Sequence, residues 1–140
     1  MRKAVYCLVL VGLLSVIGCQ RAQLAEYRKY ENVAAVPRIS VEEAKKDVDA
    51  GIAIIVDSRA ESAYKTEHIA GSISLPSGST DEFAALSKGK KVIVYCSCAS
   101  EGTSSSLAFQ MNQKGIANAY ALVGGTHAWQ TAGYPMEKGQ

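Results

Sequence analysis

Two cysteines one residue apart, Cys96 and Cys98, are the residues of this chain best suited to nucleophilic chemistry. They follow a β-branched apolar run at 92–95 and precede small polar residues at 99–106, where a helical pattern begins. The pattern predicts a buried strand, a tight loop with two thiols, and a helix whose N-terminus points back at them. Unpaired N–H groups at a helix N-terminus stabilise a thiolate, which is a nucleophile. The alternative is that both cysteines are simply small buried residues at the end of a strand.

The first 18 residues are typical of a targeting signal. Arg2 and Lys3 precede an apolar run at 4–18, which is too short to span a bilayer comfortably. Residues 16–19 resemble the lipoprotein signal of bacteria, which implies cleavage before Cys19 and lipidation of its sulfur. An uncleaved hydrophobic helix is the alternative. We expect a signal peptide at 1–18, a lipidated Cys19 with a polar tether at 19–37, and a domain at 38–138. The domain would then lie outside the cytoplasm at the bacterial cell envelope, on the periplasmic side of either membrane in a Gram-negative host.

Charge and cysteine content narrow the classes of function. The chain has 140 residues, and without Arg2 and Lys3 its basic and acidic residues balance at 13 each. Such a neutral protein lacks the basic surface that nucleic-acid binding needs. Of the four cysteines, Cys7 falls in the signal and Cys19 is expected to be lipidated, so no disulfide framework remains. We expect a monomer with one core, without a metal or a cofactor.

Strand and helix patterns alternate through residues 38–138. Ser40 with Glu43 has the spacing of a capping box at the start of the first helix. The patterns predict helices at 41–50, 81–86, 104–114 and 128–131, and strands at 52–56, 72–75, 92–95 and 119–122. This alternation predicts an α/β fold in which a parallel sheet has helices on both faces. Ligands of such sheets bind beyond the carboxyl ends of the strands, and Cys96 falls there.

Four short segments carry a further signal. They are Val56-Asp57-Ser58-Arg59, Glu67-His68-Ile69-Ala70-Gly71-Ser72-Ile73, Val94-Tyr95-Cys96, and Leu122-Val123-Gly124-Gly125 followed by Trp129. In this order the chain resembles the single-domain rhodaneses, a family of sulfurtransferases, although Glu67 stands where the family usually has glycine. The resemblance implies a three-layer rhodanese-like fold with about five parallel strands.

The resemblance also implies a reaction and a site. A sulfane sulfur would pass from thiosulfate or a persulfide to a thiol or other nucleophilic acceptor through a cysteine persulfide. Besides the sulfur donor and the acceptor, the expected partner is a membrane, which the protein would bind through the lipid on Cys19. Asp57 and Arg59 would support the site, as a structural ion pair or as a loop cap, and direct contact with the substrate is the alternative. His68 would be a packing and hydrogen-bonding residue. The active-site loop would comprise Ser97, Cys98, Ala99, Ser100, Glu101, Gly102, Thr103 and Ser104.

Two departures from the family pattern leave alternatives open. Cys96 follows the strand directly, as the family's nucleophile does, whereas Cys98 has the usual loop length; we favour Cys96 and keep Cys98 as the alternative. Thr103 stands where many members carry arginine, and Glu101 is the only charged residue between Cys96 and Ser106. This predicts weak binding of dianionic thiosulfate and argues against phosphatase activity. A Cys-x-Cys thiol/disulfide redox protein and a catalytically inert rhodanese-like binding domain are the alternative functions.

Overall fold

A parallel five-stranded sheet forms the centre of the domain in the computed structural model, which describes residues 27–76, 87–97 and 99–139. The strands, in chain order, are β1 (Arg38–Ile39), β2 (Ala53–Asp57), β3 (His68–Ile69), β4 (Ile73–Ser74), β5 (Lys91–Tyr95), β6 (Ala119–Leu122) and β7 (Met136–Glu137). The sheet has the order β1-β6-β5-β2-β4, with parallel pairing throughout, and β3 pairs with β7 in a separate antiparallel ribbon. The predicted fold class is therefore confirmed.

Helices cover both faces of the sheet. Those bounded within the described residues are α1 (Val41–Asp49), α2 (Glu61–Thr66), α3 (Gly102–Gln113) and α4 (Gly125–Thr131). The central strand β5 is buried on both sides: Val94 packs with Leu107 of α3, whereas Ile93 packs with Trp129 of α4. Burial on both sides explains why the β5 segment is a continuous apolar run instead of an alternating pattern. The helix predicted at 81–86 lies outside the described residues.

Cap geometry decides where the helices begin. The Ser40 hydroxyl accepts the Glu43 N–H at 3.2 Å, so the predicted N-cap of α1 is present. Helix α3 begins at Gly102 and α4 at Gly125, two and three residues before the predicted starts at 104 and 128. Their N-cap residues, Glu101 and Gly124, have left-handed backbones with φ of 50° and 68°, and neither has a capping side-chain bond. Because these two helices begin at a left-handed residue and not at a capping side chain, no Ser/Thr capping signal marks their starts in the sequence.

Part of the predicted tether lies against the domain. The buried Asn112 side chain accepts the Tyr30 N–H at 2.7 Å and donates to the Arg28 carbonyl at 2.9 Å. The Tyr30 hydroxyl donates to the carbonyl of Ala119, the first residue of β6, at 2.9 Å. Burial raises the pKa of Tyr30 to about 12, so this donor keeps its proton at neutral pH. Residues 27–36 thus pack on α3 and on the amino end of β6. No helix within the described ranges has the length and apolarity needed to cross a membrane.

Candidate active site

Cys96 lies directly after β5, at the carboxyl edge of the sheet and between the ends of β2 and β6. It is 3% exposed. Its neighbour Tyr95 accepts the Ser58 N–H at 3.0 Å and the Ser58 hydroxyl at 2.8 Å through its carbonyl. The Cys96 carbonyl accepts the Thr126 N–H at 3.0 Å. The loops after three strands therefore meet around Cys96, at the edge where open α/β sheets bind ligands.

Gly125, the first residue of α4, packs against the backbone of Cys96. A Cβ atom at this position would lie 1.9 Å from the Cys96 carbonyl oxygen, well inside van der Waals contact. Its φ of +53° is also in the left-handed region that favours glycine. The second glycine of the predicted Gly-Gly motif is thus required by contact with the cysteine as well as by backbone conformation.

The sulfur of Cys96 lies against the first turn of α3. The Ser104 hydroxyl is 3.6 Å from the sulfur and 3.0 Å from the Glu101 carbonyl oxygen, and Ser104 is fully buried. A hydroxyl has one proton to donate, so it can serve one of these two acceptors at a time. When Cys96 is a thiolate, donation to sulfur is charge-assisted and is the stronger choice. The N-terminus of the twelve-residue α3 adds its own partial positive charge.

The predicted loop at 97–104 is shorter in the structure, because Gly102, Thr103 and Ser104 form the first turn of α3. Cys96, which precedes the loop, is buried, as are Glu101 and Ser104. The exposed positions are Ser97, Ala99, Ser100, Gly102 and Thr103. Cys98 lies outside the described residues, so the choice of Cys96 as nucleophile stays a prediction.

Asp57 and Arg59 form the expected ion pair, and it holds the residue before Cys96. The fully buried Asp57 carboxylate accepts Arg59 Nη2 at 2.7 Å and the Tyr95 hydroxyl at 2.6 Å. Arg59 also donates to the Glu67 carbonyl at 2.7 Å. Burial alone would lower the pKa of Arg59, but its hydrogen bond to Asp57 and the Asp57 charge outweigh this and raise it. Burial, with the Asp57 bond, raises the pKa of Tyr95. The pair thus fixes the position of Tyr95, the residue that precedes Cys96.

His68 and Trp129 have structural surroundings. The His68 ring is stacked on Tyr64 at 3.8 Å, and its Nδ1 donates to the Tyr64 carbonyl at 2.8 Å. Trp129 is 2% exposed and donates from Nε1 to the Pro135 carbonyl at 3.1 Å. His68 therefore occupies the packing position that the resemblance implied, and Trp129 anchors α4 in the core.

Glu101 has a partner that the sequence did not indicate. Its Oε2 accepts Arg38 Nε at 3.0 Å, and its Oε1 accepts the Gly124 N–H at 3.1 Å. The Glu101 side chain is 10% exposed, whereas that of Arg38 is 46% exposed. Arg38 from β1 therefore neutralises the charge of Glu101, which is the only charged residue between Cys96 and Ser106. Arg38 and Glu101 are 63 residues apart in the chain, so no local pattern could have paired them.

Comparison with known proteins places these features in a family. Residues 40–132 match the rhodanese-like domain. The thiosulfate sulfurtransferase GlpE of Coxiella burnetii is 34% identical over 79 residues, which cover 55% of this chain and 71% of that protein.

Solved structures agree with this match. The BH2092 protein of Bacillus halodurans superposes with a TM-score of 0.66 at 28% identity, over 75% of this chain and 79% of that one. A thiosulfate sulfurtransferase of Pseudomonas aeruginosa gives a TM-score of 0.59 at 32% identity, covering 76% of this chain but 21% of its own length. The chain belongs to the rhodanese-like domain family.

Proposed function

We propose that the protein is a sulfurtransferase that carries a sulfane sulfur on Cys96 as a persulfide. The observation that carries this proposal is the place of the Cys96 sulfur, at the carboxyl end of the central strand and against the first turn of α3. The buried Ser104 hydroxyl and the helix N-terminus both favour the thiolate. The likeness to GlpE, a thiosulfate sulfurtransferase, supports the same reaction class.

The proposed reaction consists of two displacements at sulfur. The Cys96 thiolate attacks the sulfane sulfur of the donor, and a new S–S bond forms as the bond from that sulfur to the rest of the donor breaks. The leaving group keeps the electron pair; from thiosulfate it is sulfite. An acceptor thiolate, whose proton has gone to water, then attacks the outer sulfur of the persulfide. Cys96 leaves as a thiolate, so the cycle needs no external oxidant or reductant.

Intact-mass spectrometry after treatment with a sulfur donor tests this proposal. We expect a gain of one sulfur atom, which cyanide then removes as thiocyanate. A reversible loss of two hydrogens without sulfur gain would instead support a Cys96–Cys98 redox couple. An unchanged mass with every donor would contradict both chemical functions and favour an inert binding domain.

We further propose that the natural donor carries less charge than thiosulfate. No lysine or arginine occurs between Cys96 and Ser106, and the guanidinium of Arg59 is engaged by Asp57. Arg38 removes the repulsion expected from Glu101 but is itself held by that carboxylate. A dianionic donor at the loop would receive hydrogen bonds from backbone N–H groups and hydroxyls, but not the paired charge-assisted hydrogen bonds of an arginine guanidinium. A low-molecular-weight persulfide or polysulfide, with one charge or none at the reacting end, fits better.

Donor preference follows from that difference in charge. We expect kcat/KM for glutathione persulfide to exceed that for thiosulfate by about 10- to 100-fold, since a missing charge-assisted hydrogen bond is worth about 1.5–3 kcal/mol. Thr103→Arg should raise kcat/KM for thiosulfate and so reduce the difference between the two donors. Position 103 is exposed in the first turn of α3, where an arginine could reach the donor. Higher efficiency with thiosulfate in the unmodified protein would contradict this donor assignment.

We also propose that Cys19 is lipidated and anchors the protein to a bacterial membrane. The support is the sequence of residues 1–19, with its basic start, short apolar run and terminal cysteine. Full-length protein made in a bacterium should incorporate labelled palmitate and sediment with membranes. Cys19→Ser should lose both properties, since several acyl chains supply the anchoring energy at about 0.8 kcal/mol per buried methylene. Cys7→Ser is the matched control, and equal labelling of the Cys19→Ser variant would overturn the assignment.

A further inference from the structure

Glu101 combines two unfavourable features at the end of the active-site loop. Its backbone has φ 50° and ψ 21°, a left-handed conformation that costs a non-glycine residue roughly 1–2 kcal/mol. Its carboxylate is buried, which is costly unless partners compensate it. Strained residues of this kind persist only where the surrounding structure fixes them, and they are concentrated at functional sites.

Both carboxylate oxygens of Glu101 are engaged by other parts of the fold. Arg38, on the edge strand β1, binds Oε2 through Nε at 3.0 Å. The N–H of Gly124, in the turn between β6 and α4, binds Oε1 at 3.1 Å. One side chain thus ties the loop to two segments that are distant in sequence. The two bonds compensate the buried charge.

Two short paths lead from Glu101 to Cys96. Through its carbonyl, Glu101 accepts the Ser104 hydroxyl at 3.0 Å, and that hydroxyl lies 3.6 Å from the Cys96 sulfur. Through its side chain, Glu101 holds Gly124, whose neighbour Gly125 packs against the Cys96 carbonyl. A shift of Glu101 would therefore move both the hydrogen-bond donor at the sulfur and the turn that packs on the cysteine backbone.

We propose that Glu101 is a positioning residue for Cys96, with Arg38 as the counter-ion that keeps its carboxylate in place. The proposal deepens the proposed function, on which it rests for the role of the thiol. It assigns to this buried acid the task of fixing the geometry of a loop that lacks the usual arginine. Its direct consequence is that the reactivity of the Cys96 thiol depends on Glu101.

The rate of Cys96 alkylation by iodoacetamide tests this dependence without requiring sulfur transfer. In a Cys98→Ser background, tryptic peptide 92–114 contains Cys96 as its one cysteine, so its modification can be followed by mass spectrometry. We expect Glu101→Ala to lower the rate constant at neutral pH about tenfold, equivalent to about 1.4 kcal/mol. The midpoint of the rate's pH profile should move to higher pH, because the donor to the thiolate is displaced. Glu101→Gln should be intermediate, since its one acceptor oxygen can serve one of the two donors.

Two other outcomes would overturn the proposal. If Glu101 acted only through its charge, Glu101→Ala and Glu101→Gln would both raise the rate equally, because the positive charge of Arg38 would be released. If Glu101 only stabilised the fold, both variants would melt at lower temperature and the folded protein would react at the original rate. Glu61→Ala is the matched control, since Glu61 is exposed and pairs with Lys65 on α2.

Arg38→Met provides a second test that leaves the loop sequence unchanged. It should lower the alkylation rate in the same direction as Glu101→Ala, because the carboxylate loses the partner that holds it. An unchanged rate in folded Arg38→Met would contradict the assigned role of Arg38. Donor-treatment mass spectrometry on the same variants separates the two proposals. If the alkylation rate depends on Glu101 but no persulfide forms, the positioning role stands and sulfur transfer is refuted. If a persulfide forms but the alkylation rate does not depend on Glu101, only the positioning role is refuted.

Discussion

Cys96→Ser is expected to abolish the gain of a sulfur atom and to lower sulfurtransferase turnover by roughly three orders of magnitude or more. A serine hydroxyl stays protonated at neutral pH and cannot hold a persulfide. Serine has nearly the same shape as cysteine, so the fold should persist even though the site is only 3% exposed. Intact mass after donor treatment, turnover with a thiol acceptor and a thermal melt on the same preparation measure these effects.

Cys98→Ser is the matched control for that experiment, because it removes a thiol two positions further along the same loop. It should keep the sulfur gain and most of the turnover. If Cys98→Ser loses the sulfur and Cys96→Ser retains it, loop length and not strand position determines the nucleophile. If both single variants lose the mass change and the wild type loses two hydrogens, the pair acts as a redox couple.

Gly125→Ala is expected to destabilise the domain by about 3 kcal/mol or more and to lower the reactivity of Cys96 strongly. The new Cβ would lie 1.9 Å from the Cys96 carbonyl oxygen, so either the end of β5 or the turn before α4 must move. Neither is a flexible side chain, and the same carbonyl accepts the Thr126 N–H at 3.0 Å. The displacement would therefore reach the nucleophile itself.

Gly133→Ala isolates the conformational part of this effect. Gly133 has a φ of +73°, but a Cβ there would meet nothing within 4 Å. Its substitution should cost only about 1–2 kcal/mol, which is the left-handed backbone penalty. Denaturant unfolding gives both stabilities, and iodoacetamide labelling of peptide 92–114 gives both thiol reactivities. Equal losses in the two variants would show that contact with Cys96 contributes nothing beyond backbone conformation.

Local patterns were sufficient to predict most of the sheet and the place of Cys96. The apolar run of β5 is continuous because the strand is buried on both faces. The Ser40 cap fixes the start of α1 through a hydrogen bond to a residue three positions later. Such signals lie within a few residues of one another. The ion pair of Asp57 with Arg59 is equally local, since its members are two positions apart.

The features that could not be predicted depend on partners far apart in the chain. Glu101 reaches Arg38 across 63 residues, and its left-handed conformation belongs to a residue type that rarely adopts one. Tyr30 meets Asn112 across 82 residues, so a segment with the composition of a tether is bound to α3. In both cases the decisive contact exists only after the sheet has formed. Composition and periodicity carry no trace of it.

The docking of Tyr30 fixes where residues 27–30 lie relative to the candidate active site. Tyr30 bonds to the first residue of β6, at the amino edge of the sheet, whereas Cys96 follows the last residue of β5 at the opposite edge. A five-residue strand such as β5 spans about 17 Å. The docked segment at residues 27–30 is thus held on the side of the sheet opposite the thiol. It leaves the carboxyl edge, where Cys96 lies, to the loops that follow β2, β5 and β6.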